Sequence, residues 1–321
     1  MISTKLTGAV DIGGTKILVG LINQSDELLA RRRVETLAEQ GAENIIARTV
    51  LTLHELLQEI GASKEDLEVI GCSIPGPLDS KSGVVHFSPN LQWRNVPFVD
   101  LMQRLINVPV MIDDDAHCAA LGEAWMGGAR GKDCAVYVTI STGIGAGIVI
   151  GGKIYRGAHG SAGEIGHMTI EAAGPPCSCG NFGCFEALAS GSAIASRARQ
   201  AVIHGDQTDL STFCDDPGQI SAEHVVRAAE SGDNVALRII ESAGNYAGIG
   251  LAAVASAYDP EIIIVGGGVV LSGSIMLQHA RRSFRERAIF PLSSLIPIVP
   301  AALGEESSLW GAASLFSSMR R

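Results

Sequence analysis

The chain has 321 residues, 46% hydrophobic and 18% charged, enough apolar material to bury two cores of ordinary domain size. Lysine and arginine total 24 against 34 aspartate and glutamate, a formal charge of −10 that repels duplex nucleic acid and anionic membranes on average. No apolar run reaches the roughly 18 residues of a membrane span, because the most apolar stretch, Ile262 to Leu271, is cut by Gly266, Gly267 and Gly268. The opening MISTKLTGAVDIGGTK has one lysine and then Asp11 where a secretory leader needs an apolar core, so the expected location is the cytoplasm. Of seven cysteines, Cys177, Cys179 and Cys184 cluster, which in a reducing compartment points to metal rather than disulfides. Cys72, Cys118, Cys134 and Cys214 are scattered and read as small core or surface residues.

In chain order, Leu6 to Ile12 reads as a buried strand, the glycines of Asp11-Ile12-Gly13-Gly14-Thr15-Lys16 as a tight hairpin, and Ile17 to Ile22 as its second strand. A strand at Leu28 to Val34 follows, then a helix at Ala42 to Ile60 with Ile45, Ile46, Val50, Leu53, Leu56 and Leu57 on one side, then a strand at Leu67 to Ile74. Phe98 to Ile106 reads as helix, Val108 to Ile112 as strand and Ala116 to Met126 as helix. From Cys134 the order recurs: strands at Ala135 to Ile140, Ala146 to Ile150 and Lys153 to Tyr155, with helix, strand and helix later. VDIGGTKILVGLI (Val10 to Ile22) and VTISTGIGAGIVI (Val138 to Ile150) both place polar and glycine residues between two apolar strands, so the halves read as related units. An insertion from about Gly157 to Asp216 carries the clustered cysteines, and Glu305 to Ser318 reads as a helix with Leu309, Ala312, Ala313 and Phe316 on one face.

Glycine lets backbone N–H donors approach a phosphate closely, and Gly13-Gly14-Thr15 and Ser141-Thr142-Gly143-Ile144-Gly145 both qualify. Neither matches G-x-x-x-x-G-K-[ST], and neither is a G-x-G-x-x-G opening a helix, so P-loop and Rossmann readings lack support. Taken singly, each loop is equally compatible with a plain hairpin turn. Asp11, just before the first turn, is placed to meet a nucleotide's Mg²⁺, directly or through water. Lys16 closes that loop, and Gly266, Gly267 and Gly268, after the strand Ile262 to Val265, could let an adenine or ribose lie against backbone. His167, Cys177, Cys179 and Cys184 form H-x9-C-x-C-x4-C, the Cys₃His set of a closed tetrahedral zinc site, with Gly180 and Gly183 supplying turns. Four protein ligands leave no position for water, so such a zinc is structural and holds His167 and the loop ending at Glu186.

These motifs together resemble the ROK family of bacterial glucokinases, other hexose and N-acetylhexosamine kinases, and sugar-responsive repressors. The matching stretches are DIGGTK (Asp11 to Lys16), IPGPLD (Ile74 to Asp79), NLQW (Asn90 to Trp93), DDDAHCAALGE (Asp113 to Glu123), STGIGAG (Ser141 to Gly147), GEIGH (Gly163 to His167) and CSCGNFGCFEALASG (Cys177 to Gly191). E-x-G-H followed by C-x-C-G-x-x-G-C-x-E is far more specific than any one glycine loop. The resemblance implies an α/β, two-lobed actin-like (ribonuclease H-like) ATPase fold with a zinc-binding insertion, sugar and ATP meeting between the lobes. Residues 1–118 are expected as a small N-terminal lobe on which helix 305–318 packs back, and 119–304 as a larger C-terminal lobe.

The resemblance also implies roles. Asp115 falls on the family's catalytic aspartate, which orients the sugar's primary hydroxyl and accepts its proton as the phosphoryl group arrives. Glu164, His167 and Glu186 match residues that bond ring hydroxyls, and Asn90 matches another sugar contact. Asp11, Gly13, Gly14, Thr15, Lys16, Thr142, Gly143, Gly145, Gly266, Gly267 and Gly268 form the expected contacts to ATP and its Mg²⁺. Where many members read Asn-Asp-Ala-Asn, this chain has Asp114-Asp115-Ala116-His117, so an amide is replaced by an acceptor-only carboxylate at the candidate sugar contact Asp114. Asp113 reads as a solvated loop acid or helix N-cap, and His117 as a surface or packed helix residue rather than a ligand. Three functions compete: a kinase of an aldohexose 6-hydroxyl, glucose foremost; a repressor of the same family, which needs a helix-turn-helix for which the ten residues before the first loop leave no room; and a sugar-binding module, which would be expected to lack Asp11, Asp115 or a loop. The kinase reading brings ATP, Mg²⁺, a structural Zn²⁺ and a hexose, no nucleic acid or membrane, and a homodimer or homotetramer.

Overall fold

The apolar alternation at the start of the chain forms β1 (Leu6–Ile12), which turns through the glycine loop into antiparallel β2 (Lys16–Ile22) and β3 (Leu28–Glu35). The computed structural model describes the backbone of residues 5–271 and 275–320 and the side chains of 5–270 and 275–316; residues 1–4 of the opening stretch lie outside the described residues. The chain divides into two units. One takes the residues up to Gly131, Val149–Ala162 and those from Glu305 on, and the other takes Lys132–Ile148 and Gly163–Gly304.

In the first unit α1 (Gly41–Glu59) buries Ile45, Ile46, Leu53, Leu56 and Leu57, the stripe its 3.6-residue period dictates. It leads to β4 (Leu67–Ile74), parallel to β1. A small antiparallel sheet of β5 (Leu78–Asp79), β6 (Val84–Ser88) and β7 (Trp93–Val96) follows, and Trp93 packs at 5.8 Å on Phe98 of α2 (Phe98–Ile106). Sequence reasoning missed this sheet because strands of two to five residues are too short for a period-two pattern. β8 (Val110–Asp114) pairs parallel with β4 and runs into α3 (Asp115–Trp125). The expected strand, Val108 to Ile112, is displaced by two residues. Pro109 has no N–H to give a ladder and offers only its carbonyl, to Ile70 N at 2.9 Å, so regular pairing starts after it. The shift draws Asp113 and Asp114 into the strand. Asp113, expected as a solvated loop acid or N-cap, is 2% exposed.

In the second unit β9 (Cys134–Ile140) and β10 (Ile144–Ile150) flank the second glycine loop, and β11 (Lys153–Ile154) pairs with the last two residues of β10, where the chain passes into the first unit. Then come α4 (Phe185–Ala189), α5 (Gly191–Ile203), α6 (Ala222–Glu230), α7 (Asn234–Tyr258), β12 (Ile262–Gly266), α8 (Gly268–Leu271), α9 (Ile275–Arg287), α10 (Leu292–Leu295) and β13 (Ile298–Pro300). The sheets run β3-β2-β1-β4-β8 and β11-β10-β9-β12-β13, the same meander followed by two parallel crossovers. The two thirteen-residue segments are corresponding hairpins, so the suspected internal repeat is real. The core of this unit gathers β9, β12 and α7 around Phe185 and Phe284, both buried.

The last helix, α11 (Ser307–Arg320), belongs to the first unit. It lies backbone against backbone on α3 and β4: a Cβ on Gly311 would stand 1.6 Å from the Cys118 carbonyl oxygen, and one on Gly71 1.8 Å from that of Ala312. Buried Glu123 secures the crossing by accepting the Ser307 hydroxyl and the Gly128 N–H, both at 2.8 Å. Among the described residues no helix is long and apolar enough to cross a membrane.

Candidate active site

Three parallel strands of the first unit end in polar residues at one level, since the register sets Asp11 beside Ser73 and Ser73 beside Asp113. The carboxyl ends of such strands are where open α/β sheets present ligand sites. Asp11 accepts the Ser73 hydroxyl at 2.8 Å. Burial pushes its carboxyl up to about 6; the Ser73 bond and Lys16 oppose this, and Asp115 and Glu305 add to it. In the loop Gly13 N–H donates to Lys16 O at 2.9 Å, and the Thr36 hydroxyl donates to Gly13 O at 2.6 Å. Gly14 abuts Asn90, whose Cβ would lie 3.0 Å from an added Cβ, so the structure brings this candidate sugar contact against the first loop. Thr15 is exposed, and Lys16 Nζ sits 3.0 Å from Glu305.

At the β8–α3 corner Asp114 is the N-cap and Asp115 the first helical residue. Ala116 N–H is offered to both, at 3.0 Å from Asp114 Oδ1 and 2.8 Å from Asp115 Oδ1. Burial and then the Asp115 charge raise the Asp114 carboxyl to about 7, partly offset by His117 and the Ala116 amide. Asp113 behind them accepts Asp114 N–H at 2.9 Å, His117 Nδ1 at 3.0 Å, Arg156 Nε at 3.0 Å and Arg156 Nη2. Burial would raise its carboxyl, but these partners outweigh burial and hold it below the usual range.

In the second unit the second loop is built onto a helix start, where Gly191 N–H donates to Ser141 O at 2.7 Å and Ser192 N–H to Thr142 O at 3.2 Å. Ser190 caps α5 by accepting Ala193 N–H at 3.2 Å. Glu186, in the first turn of α4, accepts Ile144 N–H at 2.9 Å, and a Cβ on Gly143 would stand 2.5 Å from the same oxygen. Gly145 continues into β10. Thr142, Gly268, Arg199, Ser221 and Glu223 line a cavity of about 430 Å³ onto which the first residues of α5 and α6 open. The first N–H groups of α5 are already donated, to Ser141 O, Thr142 O and Ser190 Oγ, and the wall adds hydroxyls of Ser192 and Ser221 and the side chains of Arg199 and Glu223. Of the third glycine group only Gly268 borders the cavity; Gly266 faces the Tyr137 ring and Gly267, at φ 93°, faces the Ile140 carbonyl.

Glu164 and His167 flank a short turn in which Glu164 Oε2 is 3.9 Å from His167 Nε2. The other ring nitrogen, Nδ1, lies 3.7 Å from Cys177 Sγ; Cys179 Sγ lies 3.7 Å from Cys184 Sγ, and all four ligand atoms fall within 4.8 Å of one another. A tetrahedron with metal–sulfur bonds of about 2.3 Å has sulfur–sulfur edges of about 3.8 Å, so the donor set fits zinc in spacing and in chemistry. Cys184 is also the N-cap residue just before α4, so the cluster joins the His167 turn to the helix that bears Glu186.

The sequence reading missed Ser73, Arg156 and the cavity residues Ser192, Arg199, Ser221 and Glu223. Ser73 stands one residue ahead of the Ile74 to Asp79 stretch and Ser192 one residue past Gly191, so a slightly wider frame would have included both. Arg156 is 43 residues from Asp113 and carries no local signal.

Two α/β units with one strand order, each opening on a strand, a glycine loop and a strand, define the actin-like class of folds. The ROK family pattern matches residues 7–319, and the chain belongs to the ROK family. A glucokinase of Halalkalibacterium halodurans is 34% identical over 303 residues, 94% of this chain and 92% of the relative. A ROK family glucokinase of Streptomyces griseus, solved in complex with glucose and AMPPNP, is 36% identical with a TM-score of 0.83 and covers 97% of this chain and 98% of its own. A xylose repressor of Caldicellulosiruptor bescii is 31% identical over 279 residues, 87% of this chain and 70% of the repressor.

Proposed function

We propose that the protein is an ATP-dependent hexose kinase that phosphorylates the 6-hydroxyl of an aldohexose, glucose first. The observation that carries this reading is the likeness, over nearly the full length of both chains, to a glucokinase solved with glucose and AMPPNP. Asp115 is the base: its carboxylate takes the hydroxyl proton as the sugar oxygen bonds to the γ-phosphorus and the bond from that phosphorus to the β–γ bridging oxygen breaks, leaving ADP. Asn90, Asp114, Glu164, His167 and Glu186 hold the sugar hydroxyls. Asp11, Gly13, Gly14, Thr15 and Lys16 of the first unit and Thr142, Gly143 and Gly145 of the second receive the phosphates, and the 430 Å³ cavity beside Gly268 takes the nucleoside. Mg²⁺ brought with the nucleotide neutralises phosphate charge, and Asp11, braced by Ser73, is the carboxylate suited to it. His167, Cys177, Cys179 and Cys184 would hold a zinc ion in a structural role, and the His167 ring, whose Nδ1 faces Cys177, would keep Nε2 for a sugar hydroxyl.

The preferred sugar could instead be mannose, fructose, allose or an N-acetylhexosamine, because Asp114 replaces an amide that donates as well as accepts. Likeness to a xylose repressor favours the one reading of another class, a sugar-responsive regulator. A coupled assay for ADP over glucose, mannose, fructose, allose, GlcNAc and ManNAc separates these. Saturable turnover is expected with at least one sugar, glucose foremost; no phosphorylation of any would overturn the kinase reading in favour of the regulator.

A further inference from the structure

His117 lies 5% exposed on the first turn of α3 with an acceptor on each side of its ring. Nδ1 is 3.0 Å from Asp113 Oδ1, and Nε2 is 3.1 Å from the carbonyl oxygen of Ala162. Neither partner can donate: a peptide carbonyl has no proton, and Asp113, receiving four N–H groups, is an ionised carboxylate. A neutral imidazole has one N–H and would leave one of these buried contacts without a proton. The charged groups facing the ring are Asp113 and Asp114 from β8, with Arg156 across the shared Asp113 carboxylate.

We propose that His117 is a positioning residue that carries a proton on each ring nitrogen in the working enzyme, clasping the segment 157–162 to the corner that bears Asp114 and Asp115. Arg156 anchors the start of that segment on Asp113 and His117 anchors its end at Ala162. The corner that the clasp holds carries Asp114, a candidate sugar contact, on the N-cap of α3. Burial lowers the affinity of His117 for its proton, but Asp113 and Asp114 outweigh burial and raise it above the ordinary 6.5. A histidine whose pKa is raised on folding contributes stability that is fully present below its unfolded pKa and is lost as pH climbs through the folded one. The clasp is therefore closed below the raised folded value and opens as pH climbs through it. Asparagine at this position would have one amide nitrogen and no charge, and could not make this titrating pair of hydrogen bonds.

The sugar-binding part rests on the hexose-kinase reading; the protonation and the clasp do not. In full-length protein with ¹⁵N-labelled histidine, both His117 nitrogens should be protonated at pH 7 and one should lose its proton only at more alkaline pH. Trypsin cleavage after Arg156 should accelerate about 10-fold across that same transition. Hexose KM should rise about 10-fold there with kcat within about threefold, whereas His117→Gln, a neutral donor, should show the high KM at neutral pH and no further rise. A neutral His117 at pH 7 overturns the proposal. So does a wild-type KM that ignores the transition, or a His117→Gln variant that only melts earlier while keeping the wild-type KM profile. If no sugar is phosphorylated the kinase reading has failed, and the spectrum and the trypsin rates still decide the clasp without any variant.

Discussion

Asp114 and Asp115 aim their carboxylates at one backbone donor, the Ala116 N–H, at 3.0 and 2.8 Å. One proton cannot satisfy two anions, and burial together with the Asp115 charge lifts Asp114 to about 7. The sign follows. An acid whose pKa is raised on folding resists ionising in the folded state, so it subtracts stability as pH climbs from its ordinary 3.8 towards the folded value, and the loss is complete above that value. Asparagine caps a helix as well as aspartate does. Asp114→Asn should therefore stabilise the protein by about 2 kcal/mol at pH 8 and by nothing measurable near pH 4, a contrast that urea unfolding at the two pH values reads directly. The ranking of hexoses should shift by about 10-fold above pH 7, because an amide donates where the ionised carboxylate only accepts. An equal effect on stability at both pH values, with ranking unchanged, would mean that the pair does not interact.

Asp115→Asn should lower turnover by about 10² or more while glucose binding, followed by calorimetry, changes little. The amide keeps the shape of the side chain but cannot take the proton of the attacking hydroxyl. Activity within a few-fold of wild type would remove Asp115 from the role of base.

Both hairpins and the parallel strands β4 and β12 were legible in the sequence because their apolar runs are unbroken, whereas β8 was read two residues early and three-residue β13 was not read at all. The duplicated order could be read from two thirteen-residue segments that the sheets then matched. The β5–β7 sheet was not legible, since its strands are shorter than one clear repeat. The environment of Asp113 was hidden for a different reason: three adjacent acids look like a solvated loop, and the groups that bury one of them are His117, four residues on, and Arg156, 43 residues on. Spacing pointed to the cysteine cluster because its ligands are close in sequence; the cavity draws on segments from Ser141 to Val269 and left no pattern to read.

Purified protein should hold one zinc per chain, and Cys179→Ser should lower both zinc content and melting temperature, since metal binding is linked to folding of the loop that carries Cys177 to Cys184. A chelator strong enough to remove the zinc should weaken glucose binding, because His167 and Glu186 are held from opposite sides of the cluster. Elemental analysis decides the matter: active protein without stoichiometric zinc would contradict a structural metal.

Gly311→Ala tests how α11 is held in the first unit. The new methyl carbon would stand 1.6 Å from the Cys118 carbonyl oxygen, and backbone cannot yield as a flexible side chain does, so α3 and α11 must separate. A loss of about 2 kcal/mol or more is expected in denaturant unfolding. Ser308→Ala on the same helix, which removes only a 3.3 Å bond from its hydroxyl to Asp115 O, should cost less than about 1 kcal/mol. Equal effects from the two substitutions would show that the helix contact is not the tight one described.

Gly268→Val addresses the nucleotide cavity of the second unit. A Cβ at Gly268 meets no atom closer than Ser141 Oγ at 3.9 Å, and its backbone is not in the left-handed region, so a branch at Cβ starts from open space beside the 430 Å³ cavity. Thermal stability should stay within about 1–2 °C of wild type, as for a substitution that disturbs no packing. With the nucleoside excluded by the added isopropyl group, KM for ATP should rise about 10-fold or more while glucose affinity measured without nucleotide is unchanged. The comparison is internal to one variant, since a general loosening of the unit would weaken both ligands and lower the melting temperature together. A normal KM for ATP with a raised KM for glucose would mean that the cavity receives the sugar, and the assignment of Gly268 and Thr142 to the nucleotide would have to be withdrawn.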